Sequence, residues 1–168
     1  MDKTIAVLNT IKKRGLIDEY AIGGGIATIF YTEPLLTYDL DVFVMIEQDA
    51  ASKLISFAPI YHYLEGKGYA WRGEHIVIEG MPVQFLPADG DLEREAVAQA
   101  RKITYKGVPT KVIGAEWLIA LLVKAGRQKD REKVTRLLEQ TSVDRKTLKR
   151  ILTRSKLYEK FHTWETRH

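Results

Sequence analysis

Cysteine is absent from the 168-residue sequence, and long hydrophobic runs are absent as well. Without cysteine, a disulfide framework, a thiolate metal site and a cysteine nucleophile are all excluded. No segment approaches the roughly 20 apolar residues that a membrane span requires. Charges such as Asp2, Lys3 and Lys12 interrupt the apolar positions of residues 1–16, which is unlike a signal peptide. We therefore expect a cytoplasmic protein in a reducing compartment, with no membrane partner.

Two catalytic motifs are also missing. The sequence contains no Gly-x-Ser-x-Gly and no Walker loop, so acyl transfer and P-loop hydrolysis have no support. What is present is the composition of a folded domain, with 45% hydrophobic and 29% charged residues. A chain of this length buries on the order of two thirds of the surface that it exposes when unfolded, so a hydrophobic core suffices without a disulfide or a structural metal.

The two parts of the chain differ in charge. Residues 1–100 contain 8 Lys and Arg against 15 Asp and Glu, a net charge of −7, whereas residues 101–168 contain 18 against 7, a net charge of +11. A basic half can hold phosphates or a nucleic acid, or it can be a set of solvated helices. The charge alone leaves both interpretations open.

Hydrophobic periodicity and turn residues predict strands in the first two thirds of the chain and helices in the rest. The predicted strands are 20–22, 39–46, 69–71, 75–78, 81–86, 102–105 and 110–113, and the predicted helices are 3–14, 26–31, 50–65, 91–101, 117–125, 129–139, 144–153 and 156–164. This order predicts an α+β (α/β) fold, in which helices flank a mixed sheet. We expect an α/β core at 1–113 and a helical carboxy-terminal portion at 114–168 packed on it.

An acidic pair opens the apolar strand 39–46. Asp39 and Asp41 are separated by Leu40, so the period of a strand sends both carboxylates to one face, with Phe43 following them. One interpretation is that this end of the strand is simply exposed to solvent. The other is that the pair holds a hard cation such as Mg²⁺, which takes oxygen ligands and bridges to substrate phosphates.

Three consecutive glycines, Gly23 to Gly25, stand between a short strand and a short helix. Without Cβ atoms the backbone can approach a ligand closely, although a tight turn explains the same residues. A Rossmann fingerprint is disfavoured because Thr28 occupies the place of its third glycine.

The conjunction of these motifs is more specific than either one. Gly24-Gly25-Ile26-Ala27 and Thr37-Tyr38-Asp39-Leu40-Asp41 resemble the Gly-Gly-x-Ala and Thr-x-Asp-(Ile/Leu)-Asp signature of the DNA polymerase β-like nucleotidyltransferases, in particular the small bacterial enzymes and toxins of the AbiEii type. Lys124-Ala125-Gly126-Arg127-Gln128-Lys129-Asp130 is similar to the later helical motif of that group, Lys-x-x-Ala-Gly-Arg-x-Lys-Asp, except that its Lys directly precedes Ala125. Alone, this segment also fits a charged corner between two helices.

The resemblance implies a nucleotidyltransferase-like fold and a reaction in which an acceptor hydroxyl attacks the α-phosphate of a nucleoside triphosphate and pyrophosphate leaves. Asp39 and Asp41 would be catalytic metal ligands for Mg²⁺. Gly24 and Gly25 would hold triphosphate oxygens. Lys124 or Arg127, with Lys129, would contact phosphate, and Asp130 would orient one of these bases.

The sequence departs from the family at the third metal carboxylate. The register of strand 81–86 places Gln84 at this catalytic position, and an amide brings no charge and cannot act as a general base. With Glu79-Gly80 as a two-residue turn, Ile78 pairs with Met81 and His75 with Gln84, so His75 can hydrogen-bond the amide. Replacement of the carboxylate by Glu74 or Glu79 ranks below its loss. Lys133 is a second departure, since the family has an acid there.

Three hypotheses follow. The first is a nucleotidyltransferase that transfers a nucleotide to a hydroxyl of an RNA, a tRNA or a protein. Its basic carboxy-terminal helices would face the acceptor, and could hold an RNA or tRNA through its phosphates. The second is a nucleotide- or RNA-binding module that lost turnover through Gln84. The third is an interaction component, such as a toxin paired with an acidic antitoxin protein.

Overall fold

The computed structural model describes residues 1–46 and 55–166. The helices in these ranges are α1 (Asp2–Lys13), α2 (Gly24–Ile29), α3 (Ala58–Gly66), α4 (Asp91–Ala98), α5 (Ala115–Ala125), α6 (Gln128–Gln140), α7 (Arg145–Arg154) and α8 (Tyr158–Glu165). The strands are β1 (Glu19–Ile22), β2 (Leu40–Met45), β3 (Ala70–Arg72), β4 (His75–Ile78), β5 (Met81–Pro87), β6 (Arg101–Tyr105) and β7 (Val108–Val112). All the strands precede α5, as the sequence predicts.

The strands form one mixed sheet in the order β3-β4-β5-β2-β1-β7-β6. β2 pairs parallel with β5 and antiparallel with β1, while β1 pairs parallel with β7. The remaining pairs, β3 with β4, β4 with β5 and β6 with β7, are antiparallel hairpins. The predicted mixed sheet flanked by helices is therefore confirmed, and β2 lies at its centre.

Strand β2 has the alternation expected from its sequence. Leu40, Val42 and Val44 are completely buried on one face of the strand, while Asp41 and Phe43 belong to the other face. Both faces of a central strand are covered, so the acid is held inside the protein rather than at a wet strand end. This is the first structural requirement of a site built around Asp41.

The hairpin of β4 and β5 confirms the predicted register. Ile78 pairs with Met81, and the intervening Glu79 and Gly80 both have positive φ, 52° and 81°, as a tight two-residue turn requires. This turn fixes which residues of β5 share a face with Asp41, because a shift of one residue would invert every side chain of the strand.

The predicted helix at 50–65 is wrong at residues 55–57. Residues 55–57 are not helical, α3 begins at Ala58, and residues 50–54 lie outside the described ranges. Pro59 explains the late start, since proline is accepted in the first turn, where its missing N–H is not needed, but its ring opposes a preceding turn.

Helix α4 differs from the predicted surface helix at 91–101. It ends at Ala98, and Arg101 already belongs to β6. Leu92, Ala96 and Val97 pack into the core, and Glu93 is buried with them. The short side chains of Ala96 and Val97 let α4 pack closely on the core. The alternation of charged and small residues in the sequence instead suggested a helix on the surface.

Helices α5 to α8 extend the apolar core, with α5 packed on α2, α4, α6 and α7, and with α8 packed on α7. Leu118 and Leu122 of α5, Leu148 of α7 and Phe161 of α8 belong to the same buried cluster as the strands. The division of the chain at 113/114 stays a prediction. Within residues 1–46 and 55–166, no helix combines the length and apolarity that crossing a membrane demands.

Candidate active site

The parallel pairing of β2 and β5 places Asp41 directly beside Gln84. Both residues line a cavity of about 510 Å³ between the sheet and the helices α4 and α5, together with Gly24, Lys124 and Arg127. Five residues singled out in the sequence are thus brought to one cavity, although Arg127 is 86 residues away from Asp41 in the chain. The cavity also has an apolar wall that includes Phe43, Leu86, Leu118 and Leu121.

The glycines pack against the acid-bearing strand. Gly24 has φ +57°, and a Cβ added there would overlap Oδ2 of Asp41. A Cβ on Gly25 would lie 2.5 Å from Oγ1 of Thr37. The space that these glycines leave is therefore filled by side chains of this chain, and Gly24 is what lets the carboxylate of Asp41 stand against the start of α2.

Asp41 is buried and poorly compensated. The residue is 8% exposed, and no hydrogen bond is among the interactions with described residues that set the pKa of its carboxyl. Burial raises its pKa above the usual value, and repulsion from Asp39 adds to this, while Lys133, Arg127 and Lys129 act in the opposite direction. Such an acid is stabilised by any cation that binds between it and Asp39.

Asp39 faces a second cavity, of about 590 Å³, between residues 34–39 and α6. Lys129, Lys133 and Arg136 line the same cavity, at a helical spacing that puts all three on one side of α6. Oδ2 of Asp39 lies 3.3 Å from Nε2 of His75. The histidine expected to meet the amide of Gln84 therefore contacts the acid instead.

The helix corner at Gly126 organises the basic residues. Gly126 ends α5 in the left-handed conformation, with φ 74°, and Arg127 caps α6. Asp130 is completely buried and accepts hydrogen bonds from Nε of Arg127 at 2.7 Å and from its Nη2 at 3.2 Å. Nζ of Lys133 is a further donor at 3.4 Å. The prediction that Asp130 orients a base is confirmed, and the residue that it holds is Arg127.

The electrostatic state of Asp130 follows from these contacts. Burial acts to raise the pKa of its carboxyl, but the hydrogen bonds and charges of Arg127 and Lys133 outweigh burial and hold that pKa below its usual value. The same hydrogen bond raises the pKa of Arg127. The Arg127 side chain remains about half exposed, at 53%, so guanidinium donors that Asp130 does not use are available to a ligand.

Glu93 was missed by the sequence reasoning. It is 7% exposed, lines the cavity of Asp41 and Gln84, and forms an ion pair with Nζ of Lys124. Lys124 is therefore a partner of Glu93 rather than a free cation. The sequence does contain a signal for the burial of Glu93. It precedes Ala96 and Val97 by three and four residues, a spacing that places all three on the apolar face of the helix.

Glu74 and Glu79 line neither of the two cavities next to the aspartates. Oε1 of Glu79 instead accepts a hydrogen bond of 2.7 Å from the hydroxyl of Tyr69, beside the hairpin turn. Among the described residues, the structure thus offers no support for a replacement of the third carboxylate from this hairpin.

The oxygen donors around Asp41 suit a hard divalent cation. Asp39 and Asp41 provide carboxylates and Gln84 provides an amide oxygen, which are ligand types that Mg²⁺ accepts and that soft metals do not prefer. In the part of the chain that the structure describes, no group of three or more His, Asp or Glu is placed to hold a metal ion. Two carboxylates and one amide oxygen would leave such an ion several ligand positions for water or substrate.

Comparison with known proteins gives the context of this geometry. Neither a protein-family model nor a curated protein matches the sequence. Among solved structures, an antigenic nucleotidyltransferase-like protein from Paracoccidioides brasiliensis is similar over 98% of this chain and 91% of its own, with 14% identity and a TM-score of 0.56. The antibiotic-resistance factor ANT(2'')-Ia is similar over 100% of both chains, with 16% identity and a TM-score of 0.52. The chain therefore has a nucleotidyltransferase-like fold.

Proposed function

We propose that this protein is a nucleotidyltransferase that binds a nucleoside triphosphate with Mg²⁺ and transfers the nucleotide to an acceptor hydroxyl, releasing pyrophosphate. The observation that carries the proposal is the state of Asp41, a buried carboxylate that lacks a donor among the described residues and is repelled by Asp39. An acid pair left in this state favours a bound cation over a structural role. The nucleotidyltransferase-like fold also supports the proposal, because it is the fold in which the Gly24-Gly25 and Asp39-Leu40-Asp41 motifs would carry out nucleotide transfer.

Each residue has a proposed part in binding. Asp39 and Asp41 hold the metal, with the amide oxygen of Gln84 beside them. When bound, Mg²⁺ neutralises phosphate charge and polarises the attacking hydroxyl. The backbone at Gly24 and Gly25 contacts the triphosphate at the start of α2.

The basic side chains and the apolar wall have complementary tasks. Arg127, fixed by Asp130, presents its free guanidinium donors to phosphate oxygens, and Lys129 and Lys133 add charge from the neighbouring cavity. Phe43 and the leucines of α5 exclude water from the reacting groups. Positioning and charge neutralisation of this kind supply most of the rate in phosphoryl transfer.

The acceptor is proposed to lie on the side of the carboxy-terminal helices. Helix α7 presents exposed Lys146, Lys149 and Arg150, which suit the phosphates of an RNA or a tRNA. For the subgroup we propose the AbiEii-type nucleotidyltransferases and toxins. Membership in it would allow a toxin role, with an acidic antitoxin protein bound to the basic half of the chain. A catalytically weakened binding module is the second candidate, because an amide stands beside Asp41 where a third carboxylate is expected.

Two measurements separate these candidates. We expect Mg²⁺ and a nucleoside triphosphate together to raise the melting temperature of the wild type but not of Asp39→Asn, and Asp91→Asn, an exposed acid of α4, serves as the control. Transfer of label from an α-phosphate-labelled triphosphate to bacterial total RNA then distinguishes an enzyme from a binding module. If no triphosphate shifts the melting temperature and Asp39→Asn behaves as the wild type does, both candidates are wrong and the interaction component gains.

A further inference from the structure

The cavity between residues 34–39 and α6 has an apolar wall that the proposed binding of triphosphate does not use. Leu36 and Tyr38 line this cavity, and they are 79% and 73% exposed. A single exposed apolar side chain is ordinary, whereas two that line one cavity form a surface on which a ligand can pack. Both lie in a segment without helix or strand, directly before Asp39. The ring of Tyr38 is therefore presented to solvent next to a proposed metal ligand.

The wall that α6 contributes to the same cavity is basic. Lys129, Lys133 and Arg136 line it, and Arg136 lies about 10 Å further along the helix axis than Lys129. Among the described residues, no carboxylate forms an ion pair with Lys129 or Arg136. Glu132 also lines the cavity, but it is exposed to solvent. Cations are thus available to an anionic ligand that extends along α6.

An exposed aromatic ring in one cavity with a row of cations suits single-stranded nucleic acid. Each nucleotide of a single strand carries a flat base that stacks on aromatic side chains and a phosphate that pairs with cations. In a duplex the bases stack on one another and do not reach such a ring. An acidic peptide would pair with the cations but has no base to place on Tyr38. The cavity volume of about 590 Å³ has room for one nucleotide.

We propose that this cavity receives the single-stranded end of an RNA acceptor, with a base stacked on Tyr38 and a backbone phosphate on Arg136. The inference rests on the proposed nucleotidyltransferase function and deepens it, because it assigns the acceptor to a defined surface. Asp39 lines the same cavity and directly follows Tyr38 in the chain. A ribose hydroxyl at the bound end is therefore delivered beside an acid that is proposed to hold the metal. Leu36 extends the apolar contact with the base.

The first test measures the stacking contact by fluorescence anisotropy of a labelled oligouridine of about 12 nucleotides, without triphosphate. Tyr38→Ala removes the ring, and we expect it to weaken binding about fivefold or more. Tyr38→Phe keeps the ring, and we expect it to bind within twofold of the wild type. Trp71→Ala is the matched control, because Trp71 is an exposed aromatic residue of β3 outside this cavity. Melting temperatures confirm that each variant is folded.

The second test measures the phosphate contact by its salt dependence. The logarithm of the RNA affinity falls with the logarithm of the salt concentration, and each cation that neutralises a phosphate of a single strand adds about 0.7 to the slope. We expect Arg136→Gln to lower this slope by about 0.7, whereas Tyr38→Ala leaves the slope unchanged. Arg94→Gln, at an exposed position of α4 outside the cavity, is the matched control.

The proposal is overturned if the wild type does not bind oligouridine, or if Tyr38→Ala binds it as the wild type does or no more weakly than Trp71→Ala. It is also overturned if polyglutamate or an RNA duplex competes as well as unlabelled oligouridine, or if Arg136→Gln leaves the salt slope unchanged. Failure of the proposed function is recognised separately, by the absence of stabilisation by Mg²⁺ and triphosphate. Oligouridine binding with the expected variant effects, but without that stabilisation, would support the RNA surface and contradict the transfer reaction.

Discussion

Asp41 and Asp130 are both buried, but their surroundings are opposite. Asp130 is completely buried and receives hydrogen bonds from Arg127 and Lys133, and its pKa is held down. Asp41 has no donor among the described residues and faces Asp39, and its pKa is raised. The first arrangement stabilises the helix corner, whereas the second costs stability. Burial alone therefore does not distinguish a functional acid from a structural one. What distinguishes Asp41 from Asp130 is that no hydrogen-bond donor compensates its charge.

The largest expected effect is that of Asp41→Asn. If Asp41 holds the metal, nucleotide transfer falls on the order of 100- to 1,000-fold, because the neutral amide no longer balances the cation. The same change removes a buried charge, so the melting temperature of the free protein rises by about 3 °C at pH 7. Thermal unfolding and pyrophosphate release measure the two effects, with Asp91→Asn as the exposed control.

The pH dependence of that gain has a definite sign. A raised pKa means that the folded protein binds the Asp41 proton more tightly than the unfolded chain, so ionisation of Asp41 lowers stability as the pH rises above 3.8 and through its raised folded pKa. The advantage of Asp41→Asn is therefore complete at neutral pH and disappears below pH 3.8. A variant that is less stable than the wild type at pH 7 would show that Asp41 has a stabilising partner.

We expect Gly24→Ala to displace the carboxylate of Asp41. Both Gly24 and Gly15 have positive φ, +57° and +73°, but an added Cβ meets nothing within 4 Å at Gly15 and overlaps Asp41 at Gly24. We expect Gly15→Ala to cost about 1 kcal/mol from backbone strain alone and Gly24→Ala to cost about 3 kcal/mol. Denaturant unfolding measures both. Equal losses would mean that Asp41 moves away without cost.

Asp130→Asn tests the compensated acid. We expect the free energy of unfolding to fall by about 2 kcal/mol at pH 7, because Arg127 and Lys133 lose their common counter-charge. The lowered pKa means that this stabilisation is complete above pH 3.8 and is lost as the pH falls through the folded pKa of Asp130. Glu139→Gln, an exposed acid of the same helix, is the control. A loss that did not begin to shrink as the pH falls below 3.8 would point to packing instead of charge.

Gln84→Glu has the smallest expected effect and makes the neighbourhood of Asp41 still more acidic. We expect roughly tenfold tighter binding of Mg²⁺, since an anionic ligand replaces an amide next to Asp41. Titration calorimetry measures the affinity, and Gln99→Glu, at the exposed end of α4, is the control. Unchanged or weaker binding would show that position 84 is not the third ligand position.

Local patterns predicted most of the elements that hold these two acids. The alternation in β2, the turn at Glu79 and Gly80, and the glycine that ends α5 each depend on a few neighbouring residues, so the sequence displays them directly. The expected position of Gln84 relative to Asp41 came from the family resemblance, and the parallel register of β2 and β5 agrees with it. The start of α3 at Ala58 was not predicted, because it depends on a single proline, Pro59. The prediction of a helix from residue 50 gave more weight to the helical periodicity than to this proline.

Contacts between distant segments were not predictable in the same way. Lys124 and Glu93 are 31 residues apart, and His75 and Asp39 are 36 residues apart. Each pair is brought together by how one element packs on another, which no local pattern encodes. The ion pair adds a contact with a buried acid to Lys124, whose predicted contact with phosphate stays a prediction. The contacts between side chains of distant segments are therefore the part of the site that local sequence patterns do not reveal.

The corner at Gly126 restricts how this protein can vary. A single left-handed residue joins α5 to α6, so inserting or deleting one residue there would rotate α6 by about 100° about its axis. Lys129 and Lys133 would then turn away from Asp39. Residues along α6 can therefore be exchanged one at a time in related chains. A change of length at this junction would instead remove Lys129, Lys133 and Arg136 together from the cavity of Asp39.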